Sequence, residues 1–112
     1  MKPSPPSASP WRPWLDAMAT VGVLTLELRL DDAHSLKDKR HTVKSLKDRL
    51  RGKFNVAVAE IDYQDLWQRS LVSAVTVSGD HAHAEQTLQL VEREAANLLG
   101  GVLVGSSTEW FE

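Results

Sequence analysis

The sequence predicts an α+β sandwich, a four-stranded antiparallel sheet carrying two helices on one face. Three observations lead there. Four short stretches have the apolar patterning of strands, and two longer ones repeat apolar residues at helical spacing. These stretches follow one another in the order β-α-β-β-α-β. With right-handed crossovers, that order gives the split βαβ, ferredoxin-like sandwich.

Along the chain, "VGVLTLELRL" (21–30) comes first. Leu24, Leu26, Leu28 and Leu30 alternate with Val23, Thr25, Glu27 and Arg29. A period of two marks a half-buried strand, here with its leucines on the covered face. "DDAH" turns the chain into a helix over 36–52. Ser35 is its natural N-cap, and Asp38 three residues later approximates a capping box. Leu36, Val43, Leu46 and Leu50 fall on one arc, and Gly52 stands where glycine commonly closes a helix. "FNVAVAEI" (54–61) is the second strand, with small apolar residues on both faces. "DYQDLWQR" (62–69) is a polar corner with aromatic anchors, and "LVSAVTVS" (71–78) is the third strand. Asp80 caps a second helix over 81–99, which buries Ala84, Leu88, Val91, Ala95, Leu98 and Leu99. Gly100 and Gly101 stop it, and "VLVGSSTEWF" (102–111) is the last strand.

Residues 20–112 therefore read as a single domain. All five prolines precede it, from Pro3 to Pro13. Residues 1–19 read as a disordered Pro-rich extension, because that spacing of proline suits neither a helix nor a central strand. No apolar run approaches the ~18 residues needed to cross a membrane, and the N-terminus has no apolar signal-peptide core. The absence of cysteine excludes disulfides, thiolate catalysis and Cys-ligated zinc. The expected location is cytoplasmic. A domain of about 90 residues buries modest surface, which favours a homodimer covering the open sheet face.

Charge is unevenly placed. Residues 36–53 hold eight of the thirteen Lys and Arg with only two acids, a net of +6 within a chain whose net charge is −2. Lys37, Arg40, Lys44, Lys47 and Arg51 are spaced 3, 4, 3 and 4 apart, a narrow ridge beside the apolar arc. Such a ridge can track phosphates, as in nucleic-acid binding. It also fits a solvated helix face or a contact with an acidic protein. Lys39 falls inside the apolar arc, which predicts a side chain that overhangs the sheet edge or snorkels.

The remaining candidates are bland. His81 and His83 are two apart at a helix start and point to different sides, so no metal site is predicted. His34 closes a turn and His41 faces outward. Glu60, Asp62 and Asp65 cluster in sequence, with Asp65 read as capping the corner. Ser106 and Ser107 lack a nucleophile-elbow context, and Gly100 and Gly101 form no phosphate loop. No catalytic residue, cofactor or small-molecule substrate is identified. The first strand's open face, Thr25, Glu27 and Arg29, lacks the aromatics on which base stacking on this fold depends. Trp67 reads as an anchor against a helix end or a subunit contact, with Arg69 beside it. Trp110 and Phe111 on the last strand are the other interface candidates.

The strings "HSLKDKR", "FNVAVAE" and "QDLWQR" resemble the YlxP-like bacterial proteins, domain-of-unknown-function family 503. The resemblance runs from about Val21 to Trp110 and leaves out the Pro-rich start. It implies a ferredoxin-like fold and a bacterial cytoplasmic protein with no established activity and no agreed catalytic residues. Genes of this family often neighbour those of translation initiation and ribosome maturation factors. The resemblance therefore implies a place near the ribosome. The leading expectation is a non-enzymatic RNA- or ribosome-associated module using Lys37, Arg40, Lys44, Lys47 and Arg51. The alternative is a homo-oligomeric interaction or regulatory module without nucleic-acid binding.

Overall fold

The computed structural model describes residues 19–112. Its elements are β1 (Thr20–Arg29), α1 (Leu36–Lys53), β2 (Ala57–Asp62), β3 (Arg69–Ser78), α2 (His81–Leu99) and β4 (Leu103–Phe111). A 3-10 turn, Gly100–Val102, joins α2 to β4. The order is the expected β-α-β-β-α-β, and the fold is ferredoxin-like. Apart from Ala19, the Pro-rich extension lies outside the described residues.

The strands lie in the order β2-β3-β1-β4, each pair antiparallel. β1 and β3 are central, and β2 and β4 are the edges. Leu24, Leu26 and Leu28 face the helices, aligned with Ala74, Val72 and Ser70 of β3. α2 packs over β1 and β3, while α1 packs against β2 and α2. Val43, Leu46 and Leu50 of α1 close the core against Leu88, Val91 and Ala95 of α2. Each fully buried side chain of this kind stabilises by roughly 1.5–3 kcal/mol. At Gly22 a Cβ would stand 2.5 Å from the Trp110 ring and 2.7 Å from Leu88, so the bare backbone makes room for the indole.

Both helices start on side-chain caps. Ser35 Oγ accepts from Asp38 N at 3.0 Å, and Asp38 Oδ2 accepts from His34 N at 2.9 Å. The reciprocal bond thus reaches one residue further out than in a standard capping box. Asp80 Oδ1 accepts from Ala82 N at 3.0 Å at the start of α2. Gly52 does not end α1. The helix runs on to Lys53, and Phe54 N donates to Leu50 O as the C-cap. Residues 54–56 are used in leaving the helix, so β2 begins at Ala57 rather than at residue 54. Gly100 caps α2 with φ of 56°, a conformation that favours glycine.

Candidate functional site

The basic ridge lies on α1 as expected, with Lys37, Arg40, Lys44 and Arg51 exposed and Lys47 half-buried. It is interrupted in its second half. Asp48 accepts from Lys44 Nζ at 2.6 Å and from Arg51 Nη2 at 3.4 Å. The Lys44 hydrogen bond, helped by Arg51, holds the Asp48 carboxyl below the usual carboxylate range. Arg49 and Lys53 reach across to Glu94 of α2, each at 2.9 Å. Lys53, then Arg49, hold Glu94 below its usual range in the same way. Lys37, Arg40 and Lys47 make no ion pair among the described residues.

Lys39 neither overhangs the sheet edge nor snorkels. It is 0% exposed. Its Nζ donates to the carbonyls of Tyr63 at 2.6 Å, Arg69 at 3.2 Å and Gln64 at 3.3 Å, and lies 3.0 Å from Glu60 Oε2. Ser70 Oγ donates to the same carboxylate oxygen at 2.6 Å. A buried ammonium needs this many oxygens to replace its water. The sequence signal was a lysine inside an apolar arc. The acceptors come from a loop about 25 residues away, which helical periodicity does not report.

The corner over residues 62–69, the 63–68 loop with the last residue of β2 and the first of β3, is tied at several points. Tyr63 sits at φ 64°, in the left-handed region, and its N–H donates to Asp62 Oδ1 at 2.7 Å. Asp62, not Asp65, therefore caps the corner. Leu66 N donates to Tyr63 O at 3.0 Å, and Leu30 N to Gln68 O at 2.9 Å. Gln68 Nε2 donates to Asp31 O at 3.1 Å and Ala33 O at 3.2 Å. Arg69 stacks its guanidinium 4.2 Å over the Tyr63 ring and lies 3.1 Å from Glu27 Oε2. Trp67 and Leu66 point outward instead, 51% and 46% exposed. The Trp67 indole is thus not packed as an anchor against a helix end. Asp65 to Arg69 line a concavity of about 430 Å³.

The sheet face opposite the helices changes character along the strands. Phe111, Val21 and Val77 form its first row, and Glu109, Val23, Val75 and Ala57 its second. Ser107, Thr25, Ser73 and Ala59 follow, with Thr25 and Ser73 hydroxyls 2.8 Å apart. Glu27 and Leu71 come next, then Arg29 beside Arg69. β1 and β3 carry no aromatic residue on this face, in keeping with the missing base-stacking pattern. Trp110 and Phe111 separate by strand alternation. Trp110 packs on the core side with its ring 4.4 Å from that of His81, while Phe111 is 56% exposed on the open face. Among the described residues, no group of three or more His, Cys, Asp or Glu is placed to hold a metal ion. No helix among them is long and apolar enough to cross a membrane.

Sheet order and helix placement define a small ferredoxin-like α+β domain. Residues 21–104 match the family described as "Protein of unknown function (DUF503)", and the chain belongs to that family. It is 36% identical over 91 residues to the uncharacterized protein YlxP of Bacillus subtilis (strain 168), covering 81% of this chain and 99% of that one. Two solved structures share the fold at low identity. A de novo designed protein, Foldit4, has a TM-score of 0.54 and 13% identity, covering 84% of this chain and 97% of its own. A dimeric ferredoxin-like protein of unknown function from Thermobifida fusca YX has a TM-score of 0.51 and 14% identity, covering 83% and 90%.

Proposed function

We propose that this protein is a non-enzymatic interaction module that works as a homodimer, the open faces of two sheets packed together. The carrying observation is the uncovered apolar end of that face. Val21, Val23, Val75, Ala57, Val77 and Phe111 are contiguous there, with Val77 58% exposed. Apolar surface of this kind on a small domain marks a contact site. The strands are 10, 6, 10 and 9 residues long, and at about 4.8 Å apart the whole face offers roughly 550 Å², below the ~800 Å² per partner of standard interfaces but within the range of smaller ones. The dimeric Thermobifida fusca protein of the same fold supports the reading. The buried ion pair away from this face, Lys39 with Glu60, is engaged in holding the fold, which supports a module without catalysis.

Sedimentation equilibrium at micromolar concentration tests it. The expected result is twice the 12.4 kDa chain mass. Val77→Glu combined with Phe111→Glu should weaken association about 100-fold or more while the thermal unfolding of the domain persists. A wild-type chain that remains monomeric at about 100 μM, near the weak limit for a specific pair, would overturn the proposal.

One observation favours a second reading, contact with structured RNA, ribosomal RNA included. Lys37, Arg40 and Lys47 share one flank of α1 and make no ion pair among the described residues, and a dimer would carry two such flanks.

A further inference from the structure

The 62–69 corner combines a firmly held backbone with exposed apolar side chains. Its backbone is held from several sides, by Lys39 on three carbonyls and by Gln68 across to the 30–35 loop. Yet its two large apolar side chains, Leu66 and Trp67, face solvent. A loop already ordered loses little entropy on binding, and an exposed tryptophan beside a concavity is the residue type that dominates interface energetics.

Charge selects the partner. The two loops that meet here, residues 30–35 and 62–69, carry Asp31, Asp32, Asp62 and Asp65. Their only arginine, Arg69, is engaged by Glu27. Asp65 lines the Trp67 concavity itself, while Asp31 and Asp32, with Asp38 and Arg29, line the neighbouring one, so the corner as a whole carries an acidic rim. Such a rim repels phosphates and attracts lysine and arginine. We propose that this corner is a docking surface for a segment of another protein, with apolar side chains seated on Leu66 and Trp67 and basic residues facing the aspartates. This surface is separate from the apolar end of the sheet that carries the homodimer reading.

The test uses the full chain labelled with ¹⁵N and two synthetic helical peptides of about 18 residues, one of Leu and Lys and one of Leu and Glu. The Leu/Lys peptide should shift the Trp67 indole and the amides of 62–69 saturably, and the Leu/Glu peptide should not. Leu66→Ser with Trp67→Ser should weaken the Leu/Lys peptide about tenfold or more. Asp31→Asn with Asp65→Asn should weaken it less and flatten its salt dependence. All four side chains are exposed, so circular dichroism should stay unchanged. The proposal is overturned if the shifts map to α1 or the open face, or if the two peptides bind alike. It is equally overturned if the serine variant binds within about twofold of wild type. Shifts at 62–69 produced by raising protein concentration alone, or by a structured RNA, would assign the corner to self-contact or nucleic acid instead.

Discussion

Lys39 joins a helix, an edge strand and a loop through one amine. Replacing it by methionine keeps the stem but leaves Glu60 without its cation and three carbonyls without their donor. Breaking a buried pair from one side costs about 3–5 kcal/mol, so Lys39→Met should lower the denaturant midpoint sharply. Adding Glu60→Leu should recover part of the loss, because no uncompensated carboxylate then remains. A double variant no better than the single would show that the carbonyls, not the carboxylate, set the cost. The position of this lysine was legible in the sequence, inside an apolar arc, but its purpose was not. Trp67 shows the same boundary. A loop residue's direction follows from turn geometry, here Tyr63 at positive φ and the Asp62 cap, and no periodicity encodes that.

At the scale of elements, the eight cations of 36–53 divide by task. Lys39 is buried, Lys44 and Arg51 hold Asp48, and Arg49 and Lys53 hold Glu94 on the facing helix. Glu94 therefore clasps the two helices together, and its folded pKa lies below the ordinary glutamate value of 4.5. A lowered carboxylate contributes stability above the unfolded pKa and loses it as pH falls through the folded one. Glu94→Gln should be less stable than wild type at pH 7, with the gap closing as pH drops below 4.5. Denaturant midpoints at several pH values would check this, and a gap constant with pH would count against the clasp. Strand alternation and helical spacing made nearly every element readable. The bounds differ most at the start of β3, Arg69 rather than 71, and at the junction of α1 and β2. There the helix ran past Gly52 because a backbone bond from Phe54 to Leu50 closes it without a left-handed glycine.

For the molecule as a whole, three surfaces differ in chemistry: an apolar sheet end, an acidic corner with exposed tryptophan, and a partly neutralised basic helix. The last sets a quantitative limit on any nucleic-acid role. If Lys37, Arg40 and Lys47 are the cations left to meet phosphates, log affinity against log salt should slope at about −2 to −3, not the roughly −3.5 to −4.5 of a full five-residue ridge. A triple change to glutamate should abolish such binding, and affinity for ribosomal RNA independent of salt would rule the ridge out. The sheltered amine at the centre of this architecture also has a practical use. Lys39 is closed to solvent while Lys37, Lys44 and Lys53 are open to it. An acylating reagent thus modifies those surface lysines in the native state and reaches Lys39 only when the corner lifts from the helix. The rate of its labelling, read by mass spectrometry, is a clock for local opening built into the chain itself.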